Sequence, residues 1–430
     1  MALTWRTPLL LLLSVAVVLV RPGAGTVWTI VLVVAALVFA DRALAPRATT
    51  LELARSATPA TRLGEPTETV LVVANTGGRR VSGVLRDAWQ PSAGALRNRH
   101  QLRLPAGERT RLVTPLDPTR RGDLRADRVT VRILGPLGLA SRQASVLVPG
   151  SVRVTPAFPS RRHLPSRLAR LRELDGRAAV RVRGQGTEFD SLREYVRGDD
   201  VRSIDWRATA RTRNVVVRTW QPERDRRVVI VLDTSRTSAG RIGDVPRLDS
   251  AMDAALLLAA LAARAGDRVD FLAGDRIVRA RVRSGHRGDA LAGVQDAMVG
   301  LTSELVEADW RRLVGAVDEL GRSRALVVLL TPLEPSAIEH GLLPLIGHLS
   351  SRHRVVLASV RDPELVRLAA DRGDLAATYQ AAAAEQTISR RRRTGALLGA
   401  LNLDVLDESA DQLPVVLADH YLALKARGVL

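Results

Sequence analysis

Two uncharged apolar runs open the chain, residues 8–20 (PLLLLLSVAVVLV) and 26–40 (TVWTIVLVVAALVFA), parted only by RPGAG. A membrane-spanning helix takes about 20 apolar residues, with a lower limit of roughly 17. With Trp5 at one end and the glycines of the turn at the other, each run approaches that length. The pattern predicts a transmembrane helical hairpin over residues 1–45, with helices at about 5–22 and 24–41. A cleaved signal peptide is the rival for the first run, because Arg6 precedes a short apolar core. The following RPGAGTVW lacks a small-x-small cleavage site and leads straight into further apolar residues.

Beyond the hairpin the period shortens. Residues 48–158 hold about seven short β-rich runs broken by Gly and Pro, which predicts a β-sandwich. Within ETVLVVANTGGRRVSGVLRDA, two such runs flank Asn75-Thr-Gly-Gly78, a hairpin signal. Residues 159–226 show little periodic apolar content and read as a surface connector. From Arg227 to the end, short apolar strands such as VVIVLD, ALVVLLT and RVVLASV alternate with helical patterns. That alternation predicts an α/β domain over 227–430 with a doubly wound, mostly parallel sheet. Ligands of such folds bind beyond the carboxyl ends of the strands, at a switch in strand order.

Charge adds an orientation. Arg6, Arg42, Arg47 and Arg55 flank the outer ends of the hairpin against Arg21 alone in its turn, which places both termini in the cytoplasm. The formal charge is +19, and Lys425 is the one lysine among 64 basic residues. An Arg-for-Lys bias this complete reads as the composition of a GC-rich bacterial genome. The arginines are scattered and aromatics make up 3% of the chain, so the clustered basic and stacking surface of a nucleic-acid binder is not expected. An anionic lipid surface is the easier partner for this charge. Cysteine is absent, which excludes disulfides and thiolate chemistry. With one lysine, at position 425, no G-x-x-x-x-G-K-[ST] phosphate loop exists in the sequence.

The first α/β strand stops on Asp233, followed by Ser235 and Thr237. A phosphatase of the haloacid-dehalogenase type would need D-x-D-x-T, and Ser235 stands where its second acid belongs. The spacing also matches D-x-S-x-S, the metal-ion-dependent adhesion site of von Willebrand factor A-like domains. A carboxylate and two hydroxyls on a tight loop supply part of the oxygen shell that Mg²⁺ prefers. The full site adds a threonine and an acid from later loops. Thr331 ends a later strand, but Pro332 occupies the acid's place, and Glu334 reaches in only if its loop bends back. The other threonine position falls near Ser284. Without a metal, the same side chains would cap the loop and the first helix.

The stretch GQGTEFDSLREYVRGDDVRSIDWRATAR (184–211) resembles the signature of the domain of unknown function 58 family, and residues 119–142 and 152–159 resemble its β-region. The resemblance implies a membrane-anchored bacterial protein with a von Willebrand A-like C-terminal domain. It also implies a partnership with a MoxR-type AAA+ ATPase in the maturation of a client protein. The reading is therefore a protein-interaction adaptor rather than an enzyme, with a phosphohydrolase using Asp233 or a nucleic-acid binder as alternatives. Read from its residues alone, the segment alternates acids and arginines. Glu194, Asp199, Asp200 and Asp205 are placed to pair with Arg193, Arg197, Arg202 and Arg207. Glu188, Tyr195 and Trp206 complete a set expected to fix a domain junction or to dock a partner.

Overall fold

The computed structural model describes residues 2–181, 188–197, 199–212, 214–221, 226–283, 290–321 and 323–429. The chain divides into two compact units, Met1–Thr155 and Pro156–Leu430.

In the first unit, helices α1 (Arg6–Val20) and α2 (Ala24–Leu44) pack against each other and leave most of their apolar side chains exposed. Of the described helices, α2 is long and apolar enough to cross a membrane, and α1 is apolar but shorter. The second helix runs three residues past the expected end because its last turn is an anchor. Asp41, fully buried, accepts the backbone N–H groups of Leu137, Leu139 and Ala140 at 2.6, 2.7 and 2.8 Å. A Cβ at Gly135 would collide with that carboxylate. Thr4 and Thr7 donate to the carbonyls of Gly138 and Leu139 at 2.5 and 2.7 Å, fastening the start of α1 to the same loop.

Seven longer strands follow: β1 (Leu51–Arg55), β2 (Thr67–Asn75), β3 (Val81–Trp89), β4 (Arg99–Leu104), β5 (Arg109–Leu116), β6 (Gly122–Leu134) and β7 (Ala140–Thr155). They form two antiparallel sheets, β7-β6-β3-β4 and β1-β2-β5. Leu71 and Val73 of the second sheet share one core with Val81, Leu85, Val129 and Ile133 of the first, so the unit is β-sandwich-like. The hairpin expected around Asn75 does not form, because β2 and β3 lie in different sheets. Asn75 is buried, and its amide donates to the carbonyls of Arg79, Leu104 and Pro105. A side chain that satisfies three carbonyls turns the segment into a corner between sheets. Strand β7 also continues through Pro149-Gly150, at a bulge opposite Asp127 where a missing N–H costs no ladder bond.

The second unit begins with α3 (Leu164–Arg181), so the segment read as a connector is helical in its first part. Leu171 is buried, and Leu164, Leu168 and Leu174 pack against the same core. The described residues of 188–221 form a ribbon of β8 (Glu188–Glu194) and β9 (Val216–Gln221) around the short α4 (Trp206–Thr212).

The body of the unit is the sheet β12-β11-β10-β13-β14-β15. Its strands are β10 (Arg227–Asp233), β11 (Arg268–Gly274), β12 (Val278–Val282), β13 (Leu326–Leu330), β14 (Arg354–Val360) and β15 (Asp404–Glu408). All neighbours run parallel except β12, which is antiparallel to β11 at one edge. Both faces are covered. Val228, Ile230 and Leu232 face one core and Val229 and Val231 the other, which is why the strand reads as an unbroken apolar run.

Helix α5 (Arg247–Arg264) is buried over nearly its whole length. A helix apolar on every side needs cover on the face away from the sheet. Helix α3 and the C-terminal α11 (Leu413–Ala426) supply it. The other face carries α7 (Trp310–Asp318) and α8 (Leu343–Arg352), with α6 (Ala290–Met298), α9 (Pro363–Ala370) and α10 (Leu375–Ala400) completing the unit.

His353 introduces a pH dependence. It is 5% exposed, and neither ring nitrogen has a hydrogen-bond partner among the described residues. Burial pushes its pKa below the ordinary histidine value; Asp318 opposes, while Arg352, Arg227 and His348 add to the lowering. The unfolded chain therefore takes up this proton near pH 6.5 and the folded chain only at lower pH. Below about pH 6.5 the unfolded state binds more protons, so stability falls as pH drops toward the folded pKa, while nothing changes above that window. Thermal midpoints of wild type and His353→Leu should differ by a constant amount above pH 7. The wild type should lose ground as pH falls from about 6.5 to 5. A constant offset across the whole range would show that His353 does not titrate between the two states.

Candidate functional site

Strand β10 is central, with β11 on one side and β13 on the other, so the strand order reverses there. Its carboxyl end is Asp233, which is fully buried. The backbone beyond it turns back on itself: the N–H of Ser235 donates to Asp233 Oδ1 at 2.8 Å. The loop is tied down on its far side, where Arg236 N–H donates to the Val306 carbonyl and Glu304 N–H to that of Thr234. Two hydroxyls converge on Asp233 Oδ2, Thr331 at 2.7 Å and Thr237 at 3.2 Å. Ser235 and Thr237 hydroxyls lie 3.0 Å apart. The structure thus brings Asp233, Ser235, Thr237 and Thr331 into one oxygen cluster.

Burial raises the pKa of Asp233 above the usual carboxylate value, although bonds from Thr331, Ser235 and Thr237 favour the charged form. The cluster lines a cleft of about 340 Å³, with Trp310 and His340 on its walls. Gly341 allows that fit: a Cβ there would stand 2.8 Å from the Trp310 ring. Chemically the site is an all-oxygen set, the kind that suits a hard divalent cation. It offers one carboxylate, and no group of three or more His, Cys, Asp or Glu side chains gathers among the described residues.

The supplementary acid considered from sequence is not in this set. Glu334 lies 3.4 Å from Arg247 and 3.5 Å from Arg391, and these guanidiniums hold it. Glu307 lines the cleft and pairs with Arg236 at 2.6 Å. Ser284 lies outside the described residues.

Sequence reasoning passed over Asp275. It follows β11 directly, beside Asp233 in the sheet, and is fully buried. Burial would raise its pKa, but the bonds from Arg279 and Thr234 outweigh this and hold it below the usual value. Thr234 Oγ1 donates to Asp275 at 2.7 Å, so the loop is braced by a second acid. The signal was an aspartate closing a strand, as at Asp233.

In the ribbon, Arg193 pairs with Asp199 at 2.5 Å, as the alternation suggests. Asp205 pairs with Arg218 at 2.8 Å rather than with Arg207, and its other oxygen caps α4 through the N–H groups of Arg207 and Ala208. Asp200 accepts the N–H of Arg202 at 3.0 Å and caps a single turn. Glu194 accepts from the Asn214 amide at 2.7 Å. Tyr195 is half-buried, and Trp206 is 69% exposed. The side chain of Glu188, like residues 184–187 and 198, lies outside the described residues.

Residues 191–394 match the family described as "Protein of unknown function DUF58". Among curated relatives, uncharacterized protein Rv1480 of Mycobacterium tuberculosis and uncharacterized protein Mb1516 of Mycobacterium bovis are each 29% identical over 202 residues. Each match covers 45% of this chain and 61% of the relative, so the chain spans less than two thirds of their length. Similar solved structures include the CARDB domain of the PF1109 protein from Pyrococcus furiosus in complex with di-metal ions. It is 20% identical over 24% of this chain and 91% of that one, with a TM-score of 0.19. The PapD-like domain of human CEP192 is 16% identical over 25% and 87%, with a TM-score of 0.20. Scores this low leave the fold to be argued from the strands themselves.

Proposed function

We propose that the chain is a membrane-anchored interaction protein whose α/β unit is von Willebrand factor A-like and captures a partner at the Asp233 edge. The observation that carries the reading is the convergence of Asp233, Ser235, Thr237 and Thr331 oxygens at a switch in strand order. The antiparallel edge strand and two-faced helical cover are consistent with that fold class. Ser235, Thr237 and Thr331 with Asp233 would hold Mg²⁺, which supplies a Lewis-acid position for a partner's carboxylate. With one carboxylate in the shell, the cation keeps most of its waters, and affinity without the partner is weak.

The partner expected from the family resemblance is a MoxR-type AAA+ ATPase, acting with this chain in the assembly or maturation of another protein. The sequence carries no phosphate-loop motif of its own, in keeping with that division of labour. The hairpin α1–α2 is the anchor, crossing the inner membrane twice, and its arginine flanks favour cytoplasmic termini.

The test is capture from native membranes by the tagged full chain, with bound proteins identified by mass spectrometry. An ATPase of this class should be retained in Mg²⁺, and both EDTA and Asp233→Asn should lower retention by about tenfold or more. Asn keeps the size of the side chain and one acceptor oxygen, so the thermal midpoint should hardly move. Retention indifferent to both treatments would leave the loop with a purely structural role.

A further inference from the structure

The first unit holds a separate cleft of about 870 Å³, at the end of the hairpin where α1 begins and α2 closes. Leu3, Trp5 and Leu44 line its apolar side, at 58%, 70% and 51% exposure. Four arginines share the rest of the wall with neutral residues such as Ser82, Gln101 and Ser141. Arg6 comes from the first turn of α1, Arg79 and Arg80 from the corner between the sheets, and Arg132 from β6. These elements are far apart in sequence and are brought to one cleft by the fold.

Among the described residues, no carboxylate lines the cleft. Arg6 donates to the Leu137 carbonyl at 3.3 Å and Arg132 to Gln143 at 3.2 Å, both neutral acceptors. Asp41, packed against the lining residue Gly135, has its oxygens occupied by backbone N–H groups. Four guanidiniums with no carboxylate among them repel one another, and an anion seated between them lowers that repulsion. The guanidinium fork matches phosphate oxygens two at a time. Exposed tryptophan and leucine beside such a group suit the boundary between headgroups and acyl chains.

We propose that this cleft binds the phosphate headgroup of an anionic phospholipid from the bilayer that receives the hairpin. The inference rests on the anchoring reading above. The hairpin fixes the cleft at the level where its helices leave the hydrocarbon, so the ligand is held within the membrane plane.

The full chain, purified in mild detergent, is titrated with short-chain phosphatidylglycerol, phosphatidylcholine of the same chain length, and inorganic phosphate. Bound molecules are counted by native mass spectrometry. Phosphatidylglycerol should be retained over phosphatidylcholine, and Arg79→Ala/Arg80→Ala should weaken it by roughly fivefold for each arginine removed. The control Arg109→Ala/Arg111→Ala removes the same charge from exposed positions on β5 and should leave retention unchanged. Equal retention of the two lipids, or an equal loss in the control, overturns the site. Displacement of phosphatidylglycerol by millimolar inorganic phosphate overturns the lipid as its source. A carbonate wash of native membranes separates the two readings. Release of the chain overturns the anchor, whereas a chain that stays bound but shows no lipid preference overturns the cleft alone.

Discussion

Asp87→Ala is expected to destabilise the first unit by about 3–5 kcal/mol, the range for removing one partner of a buried ion pair. Asp87 is fully buried, and the Arg55 side chain, 3% exposed, grips it through two bonds of 2.6 and 2.9 Å. The Trp89 indole donates to the same carboxylate at 3.0 Å, and the Arg55 guanidinium lies 5.0 Å from the centre of the Trp89 ring. Removing the carboxylate strands a cation and an indole N–H in a dry core. The melting midpoint of the first unit should fall by roughly 10 °C or more. Replacing both charges, as Arg55→Met with Asp87→Leu, should cost less than Asp87→Ala, since no unpaired charge remains. Scanning fluorimetry of the three proteins decides it. If the double variant proves the least stable, the pair contributes more by its geometry than it costs in desolvation.

The second large effect lies at the one lysine. The Lys425 side chain is 7% exposed on α11, with Nζ 2.9 Å from Asp267 and 3.2 Å from the Ala265 carbonyl at the end of α5. Tyr421 Oη, fully buried, donates to the other oxygen of Asp267 at 2.5 Å. Lys425→Met leaves Asp267 charged in the core with the tyrosine hydroxyl as its close donor, at a cost of about 3–5 kcal/mol. It also removes a cation from a helix C-terminus, where one is favoured. Lys425→Arg should be milder but not neutral, because a planar fork replaces a compact ammonium among buried neighbours. Adding Asp267→Asn to Lys425→Met should recover part of the loss. Urea midpoints at fixed m-value rank the set. Equal stability of Lys425→Met and wild type would mean that Asp267 is solvated in solution.

These two clusters show where local pattern stops being informative. Arg55 and Asp87 lie on strands of different sheets, and 158 residues separate Asp267 from Lys425. Nothing in either neighbourhood names the other. Helix α3 is a different case, since Leu164, Leu168, Leu171 and Leu174 recur at helical spacing within the arginines. That stripe was legible, and the basic composition around it obscured it. Helix α10 carried no apolar stripe of comparable strength, its sequence being alanine and arginine for long stretches.

What repeats over a few residues can be read along the chain. The uncharged runs of the hairpin, the two-faced apolar strands of the parallel sheet and the aspartate closing β10 all follow from periods of 3.6 and 2 and from the chemistry of strand ends. What meets across the chain emerges only on folding. Folding sent β2 and β3 to different sheets, set the Thr331 hydroxyl on Asp233 and clamped Asp41 to the 137–140 backbone. It also gathered four arginines from three separate elements into one cleft. The reason is physical: periodicity records which face of an element is buried, whereas pairing is chosen by the whole core as it closes.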